Sequence, residues 1–270
     1  MLARSAKRPK FDGAESLLRV DAGGIATLTL NRPQASNALS GELIEALTQQ
    51  LVSIAEIETT RVVVIAAHGA TFCAGHDMKQ LRADPDPGRY ESLFASSSRL
   101  MLSIMQLTKP VIAKVAGMAT AAGAQLVASC DLAIASDEAQ FSTPGVNIGL
   151  FCSTPMVALS RNMAPKQTMQ MLLTGTPLNA RSAATMGLIN KAVPAGELDD
   201  AVAELATTII SKPARVIALG KQAYYRQLEM GVSDAYAFAG RVMASNMMMA
   251  DATEGIDAFL EKRSPIWPEG

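Results

Sequence analysis

Two stretches of this 270-residue chain carry small residues and backbone donors in the pattern that a reacting carbonyl requires. The first is Ala116-Gly117-Met118-Ala119-Thr120-Ala121-Ala122-Gly123-Ala124-Gln125, which leads into a helix. The free N–H groups of a first helical turn and the positive end of the helix dipole favour developing negative charge, and small side chains let a ligand reach the backbone. Taken alone, the stretch is equally compatible with close helix–strand packing. The second is Thr71-Phe72-Cys73-Ala74-Gly75-His76-Asp77-Met78-Lys79, which follows a buried strand, at the strand end where α/β proteins place ligands. Two such loops can aim two N–H groups at one oxygen. That is an oxyanion hole, and preorganised donors of this kind lower a barrier by a few kcal/mol.

The elements that must position these loops follow from periodicity. Alternating apolar residues over 17–20 and 25–30, split by Ala22-Gly23-Gly24, predict a hairpin that Asn31-Arg32-Pro33 ends. Ser40 is an N-cap candidate for an amphipathic helix reaching about residue 56, with Glu42 and Glu45 in its first turns. The continuous run RVVVIA over 61–66 predicts a strand buried on both faces. The pattern then recurs: a loop over 69–75, a polar connection through 85–88, a helix over 90–107 and a strand over 111–115. The Gly/Ala-rich segment next enters a helix ending near Ser129, and a strand follows over 132–135. Such recurrence predicts an α/β spiral of stacked ββα turns around one core. Beyond residue 194 only helices are expected, over 196–211, 214–231, 233–250 and 252–262. Met243, Met247, Met248 and Met249 read as a helical packing surface, since methionine fills irregular interfaces. The expected organisation is a flexible basic terminus over 1–16, a spiral core over 17–194 and a helical C-terminal region over 195–270.

Composition narrows the function classes. Apolar residues make up 49 % of the chain and charged ones 18 %, enough for one large core without staples. The formal net charge of −1, with both signs interspersed, gives no footprint for nucleic acid or an anionic membrane. Cys73, Cys130 and Cys152 form no CxxC pair and fit a reduced compartment, and with only two histidines they make no zinc pattern. The longest apolar runs, over 111–115 and 118–127, are far shorter than the roughly 20 residues of a membrane span. MLARSAKRPK, at residues 1–10, carries four positive charges and no negative one, which reads as a ragged basic terminus or the stub of a transit sequence. A cytoplasmic protein is the default expectation, or a mitochondrial one if the source is eukaryotic.

LNRPQASNAL (30–39), FCAGHDMKQL (72–81), GMATAAGAQLVASCDLAIAS (117–136), FSTPGVNIGL (141–150) and LTGTPLNARSAATMGLINKAVP (173–194) resemble, in order and spacing, the crotonase (enoyl-CoA hydratase/isomerase) family. EGIDAFLEKRSPIW (254–267) is similar to that family's C-terminal signature, so the resemblance covers nearly the whole chain. Within the family, ATAAGAQLVASCD and PGVNIGLFCSTP are similar to the subgroup called enoyl-CoA-hydratase-domain-containing proteins. The resemblance implies a crotonase spiral and an acyl-CoA ligand, with the thioester oxygen held between the N–H groups of His76 and Ala122. It implies no cofactor other than the coenzyme A of the ligand itself. Ala74 and Met78 would flank the adenine, and Ala35 would touch the pantetheine or phosphate end. Phe259 and Lys262 would reach the nucleotide of a neighbouring subunit in a homotrimer or dimer of trimers. Many relatives have lysine where this chain has Gln34, so phosphate binding would lean on Lys79, Arg32 or Lys262.

The chemistry departs from the family. Its hydratases use two glutamates, one acting on water and one on the α-carbon, and their positions map to Gln125 and Gly145. Neither residue can shuttle a proton near pH 7, and each lost acid/base role costs about 10²–10⁴-fold. Gln125 can still orient a water, while Gly145 is expected to leave a hole. In related dehalogenases and isomerases the acid sits near the position of Cys152 and Ser153, either of which could be a nucleophile. No base partner is visible for them, and a buried small residue capping the next helix is the plainer reading. For His76 the backbone role is favoured, and for Asp77 a structural hydrogen bond. Two function classes follow: an acyl-CoA binder without ordinary hydration, and an active hydratase or other acyl-CoA lyase or isomerase with relocated groups. A purely structural oligomer would instead show the two loops closed with no cleft.

Overall fold

The computed structural model describes residues 15–268, so the MLARSAKRPK terminus lies outside the described residues. Among the described residues, ten strands form two sheets. β1 (Leu17–Ala22), β2 (Ile25–Leu30), β3 (Val62–Ala67), β5 (Val111–Val115), β7 (Leu132–Ser136) and β10 (Lys191–Val193) lie in that order in the larger sheet. Only the β1–β2 hairpin pairs antiparallel; every other neighbour pair in that sheet is parallel. The smaller sheet runs β4 (Thr71–Cys73), β6 (Met118–Thr120), β8 (Gln140–Ser142) and β9 (Leu178–Asn179). β3, β5 and β7 each lead into a short strand, β4, β6 and β8 in turn, and helices follow before the next long strand.

The helices are α1 (Gly41–Ala55), α2 (Met78–Ala83), α3 (Pro87–Gln106), α4 (Ala122–Ser129), α5 (Ser153–Asn162), α6 (Pro165–Thr174) and α7 (Ala180–Thr185), followed by α8 (Leu198–Ile210), α9 (Ala214–Gln227), α10 (Val232–Met247) and α11 (Ala250–Glu261). Ser40 caps α1 by accepting a hydrogen bond from the Leu43 N–H. Asp86 does the same for α3 from Arg89, and Pro87 stands inside the first turn, where its missing N–H has no cost. The segment 85–88 therefore begins a helix where the sequence reading has a connection.

β3 explains its unbroken apolar run. Val63 and Ile65 face the inner core with Leu28, Leu43, Leu100 and Phe141. Val62 and Val64 face outward, where Ile112 and Ile134 pack against Leu198, Val202 and Ala206 of α8. A strand covered on both sides has no polar face to display.

Two glycines hold the turns of the spiral together. A methyl group on Gly117 would fall 2.0 Å from the Ala70 carbonyl oxygen, and one on Gly123 would fall 2.1 Å from the Cys73 carbonyl oxygen. Successive turns touch backbone to backbone at these points, a distance only glycine permits.

The C-terminal helices are attached differently. α9 and α10 contain no buried residue, and α11 buries only Asp251 and Ala258. α9 is fixed through Lys221, whose ammonium donates to Asp131 Oδ2 at 2.6 Å and to the carbonyls of Ile104 and Lys109 at 2.9 and 3.0 Å. The Asp131 carboxylate also accepts from the Tyr225 hydroxyl at 2.9 Å and the Val111 N–H at 2.7 Å. Burial pushes the Asp131 carboxyl up, with Lys221, Val111 and Tyr225 opposing that shift. Met243, Met247 and Met248 are exposed on this arm. Among the described residues no helix is long and apolar enough to cross a membrane.

Candidate active site

The loop over 71–79 is built against residues 32–39. Asn37 is fully buried, with a left-handed backbone at φ 51°. Its amide donates to the carbonyls of His68 and Thr71 at 2.8 and 2.7 Å, and its oxygen accepts from the Arg32 N–H at 2.8 Å. Ala74 N–H then donates to Ser36, Leu39 N–H to Gly75, and Asp77 N–H to Leu39. These bonds stitch residues 32–39 along residues 74–77. The sequence reading missed Asn37; the signal for it was an asparagine in a proline-bounded loop, a residue type that tolerates φ > 0.

Asp77 caps α2 by accepting from the N–H groups of Lys79 and Gln80, and it pairs with Arg32 at 3.1 Å. Arg32 also donates to the Ala38 carbonyl at 2.7 Å, so one of the charges expected at the phosphate end is tied to Asp77 and the backbone. Met78 and Lys79 are exposed on α2, while Ala35 and Ala74 are half-buried beside it.

The two loops meet at Gly75, whose φ is +89°. A methyl group there would lie 2.9 Å from Ala121 Cβ and 3.1 Å from the Ala122 nitrogen. His76, the next residue, is thereby set close to the start of α4. Ala121, at φ 50°, delivers its own N–H to the Ser142 carbonyl and leaves Ala122 as the first residue of the helix. Among the described residues, neither the His76 nor the Ala122 N–H has a backbone acceptor in the protein. Two free donors on touching loops can serve one oxyanion. A cavity of about 770 Å³ opens further along α4, between α3, α4, α5 and α9, with Met101, Leu102, Met105, Gln125, Val157 and Leu228 in its wall; His76 and Ala122 do not line it.

Gln125 is buried three residues beyond Ala122, and its Oε1 has no hydrogen-bond partner. Gly145 lies in a 3-10 turn over Pro144–Ile148. The expected hole beside it is filled: a methyl group on Gly145 would lie 2.8 Å from the Leu150 carbonyl oxygen and 3.0 Å from Cys152 Sγ. The chain folds back at Gly149, and the Leu150 N–H donates to the Gly145 carbonyl at 2.9 Å.

Cys152 precedes α5 and is buried, and burial raises its thiol above the usual cysteine range. Ser153 is exposed, and its hydroxyl donates to the Phe151 carbonyl at 3.4 Å. No histidine or carboxylate hydrogen-bonds to either residue among the described residues. Phe259 and Lys262 are exposed at the end of α11, with no hydrogen bond or ring contact to the loops.

The His76 ring packs edge-on against Phe94 of α3, with centroids 5.2 Å apart. Burial holds its imidazole down at about 4, against 6.5 for a free histidine. It is neutral at pH 7. The unfolded chain therefore binds one more proton than the folded one between pH 4 and 6.5. Stability from this site is complete above pH 6.5 and is lost as pH falls toward 4. Urea titrations of His76→Phe against the parent chain should show the parent losing roughly 2–3 kcal/mol more between pH 7 and 4.5. Parallel pH curves would show that the ring is solvated.

Set against known proteins, residues 21–270 match the enoyl-CoA hydratase/isomerase family model. The chain belongs to the enoyl-CoA hydratase/isomerase family, with the crotonase fold that its two sheets and spiral order define. Within the family it is similar to enoyl-CoA hydratase domain-containing protein 3, mitochondrial, from Rattus norvegicus, at 43 % identity over 90 % of this chain and 81 % of that one. The crystal structure of the human enoyl Coenzyme A hydratase domain-containing protein 3 superposes with a TM-score of 0.90 at 41 % identity, covering 94 % of this chain and 100 % of that one. A crystal structure of an enoyl-CoA hydratase from Mycobacterium smegmatis superposes with a TM-score of 0.93 at 50 % identity, covering 94 % and 99 %.

Proposed function

We propose that the protein binds fatty acyl-CoA thioesters, holding the thioester oxygen between the N–H groups of His76 and Ala122, and that it lacks ordinary enoyl hydration. The observation that carries this reading is the meeting of the two loops at Gly75, which sets two free donors side by side while Gln125 and Gly145 supply no carboxylate to the same site. The donors can polarise a carbonyl. With no carboxylate at 125 or 145, the two proton-transfer roles of the family's hydratases have no agent at those positions near pH 7.

Ala35, Ala74, Met78 and Lys79 would contact the coenzyme A moiety. Phe259 and Lys262 would contribute from a neighbouring subunit of a homotrimer or dimer of trimers, an arrangement favoured by the exposed apolar residues Met248, Phe259, Leu260 and Ile266. The protein would act in the cytoplasm, or in mitochondria if its source is eukaryotic, as the names of the vertebrate relatives state for those proteins. A second reading, an active hydratase or another acyl-CoA lyase or isomerase, is favoured by one observation. Gln125 Oε1 is buried and unpartnered beside the donors, and so placed to orient a water.

Titration with a series of acyl-CoAs and a trans-2-enoyl-CoA, following binding and the conjugated enoyl absorbance together, separates the readings. Binding with no loss of absorbance is expected. Rapid hydration would overturn the non-hydrating reading, and hydration that survives Gln125→Ala would place the catalytic group elsewhere. Absence of binding would overturn the ligand assignment.

A further inference from the structure

A second cavity, of about 480 Å³, lies at the opposite end of the larger sheet from the two loops. Thr60 and Arg61 stand before β3 and Pro110 before β5, at the N-terminal ends of two parallel strands, whereas the loops of the thioester site follow their C-terminal ends. β3 is six residues long, so at about 3.3 Å per residue roughly 20 Å separates the two regions. The first turn of α9 and Trp267 complete the wall. No residue of this wall takes part in the thioester site described above.

The wall carries more positive than negative charge, and its cations are not equivalent. Lys109 is committed to the carbonyls of Ile54, Ala55 and Ile57 at the end of α1, and Arg215 to Asp251 at 2.9 Å. Arg61 and Lys212 have no carboxylate partner among the described residues; Arg61 gives one N–H to the Lys212 carbonyl at 2.6 Å and keeps the rest of its fork free. Thr60 is only 4 % exposed, and its hydroxyl has no hydrogen-bond partner among the described residues. A hydroxyl so deeply placed is costly unless a ligand or water meets it. The N–H groups of Ala214 and Arg215, in a first turn whose N-cap Pro213 offers no side-chain acceptor, are likewise unpaired among the described residues. All of these residues line the same cavity, and Ile209, Ile217 and the Trp267 indole make the rest of its wall apolar. The Trp267 ring is fixed by its N–H, which donates to the Ser211 carbonyl at 2.8 Å.

We propose that this cavity is a second ligand site, separate from the thioester site, which binds a small aromatic monocarboxylate. The carboxylate accepts from the Arg61 fork, the Thr60 hydroxyl and the first turn of α9, and the ring lies against Trp267 and Ile217. Glu58 and Asp251 in the same wall oppose a second negative charge, so a phosphate dianion fits worse than a single carboxylate. The volume falls within the roughly 300–1,000 Å³ of small-molecule sites.

Trp267 is the one tryptophan of the chain, so its emission reports this cavity. Titration of the full chain with phenylacetate is expected to change that emission saturably. The neutral phenylacetamide should bind about 10-fold more weakly, the loss that follows when charge-assisted hydrogen bonds become neutral ones. Arg61→Gln should weaken phenylacetate binding by about the same factor, and Thr60→Val, which removes the hydroxyl at nearly constant shape, several-fold. Saturation with an acyl-CoA beforehand should leave the curve unchanged; displacement by an acyl-CoA would put phenylacetate at the thioester site and overturn a separate one. The proposal is also overturned by the absence of a saturable change, by equal affinity for the amide, by inorganic phosphate competing equally well, or by affinity preserved in both variants.

Discussion

Gly123→Ala is expected to abolish acyl-CoA binding and to destabilise the chain by more than roughly 3 kcal/mol. The added methyl group would lie 2.1 Å from the Cys73 carbonyl oxygen, 2.8 Å from its carbon and 2.9 Å from its Cβ. No rotamer relieves a clash between a Cβ and a backbone carbonyl. Either α4 moves away from β4 or the loop after Cys73 moves away from α4, and both displacements separate the His76 and Ala122 donors. Gly220→Ala is the control, because nothing lies within 4 Å of a methyl group there, and on α9 alanine is the better helix former. Calorimetric titration with an acyl-CoA and urea unfolding read both effects. Binding by Gly123→Ala at the parent's affinity would show that the two loops do not depend on this contact.

Lys221→Met is the second large effect. It removes the partner of a carboxylate whose side chain is only 14 % exposed, and frees two carbonyls besides. Removing one member of a buried pair leaves an uncompensated charge and costs about 3–5 kcal/mol. Burial already pushes the Lys221 ammonium down, and its pairing with Asp131 opposes that shift. With the lysine gone, Asp131 keeps the Tyr225 hydroxyl and Val111 N–H, and its carboxyl must rise further. The melting temperature should fall by roughly 6–20 °C, at 2–4 °C per kcal/mol. Adding Asp131→Asn to Lys221→Met should recover part of the loss by removing the stranded charge. If the double variant is as unstable as the sum of the two single ones, the pair is not coupled.

Much of the fold was legible because its signals are local or periodic. The RVVVIA run could only be a strand covered on both sides, and the valines of β3 do divide between two cores. Ser40 announced α1 as a capping residue must, through its own side chain. The smaller sheet was not legible. β4, β6 and β8 are three residues each, too short to show a period of two, and they pair only because the spiral stacks them.

The site divides along the same line. Free N–H groups belong to the backbone, and glycines in FCAGHD and ATAAGA mark them from sequence. The tie from Asn37 to His68 and Thr71 carries a weaker mark, because it joins segments more than 30 residues apart. The sequence could not show that space beside Gly145 is taken, since Leu150 and Cys152 return to it through the turn at Gly149.

Reversibility follows from that last feature. A glutamate at position 145 is not one substitution away, because the first atom of any side chain there would meet the Leu150 carbonyl at 2.8 Å, before its carboxylate could be aimed at anything. An engineer seeking hydration would have to redesign the 149–152 backbone first and choose the acid second. Reinstalling a carboxylate at 125 alone needs no such rebuilding, so the two positions set very different barriers to regaining the same chemistry.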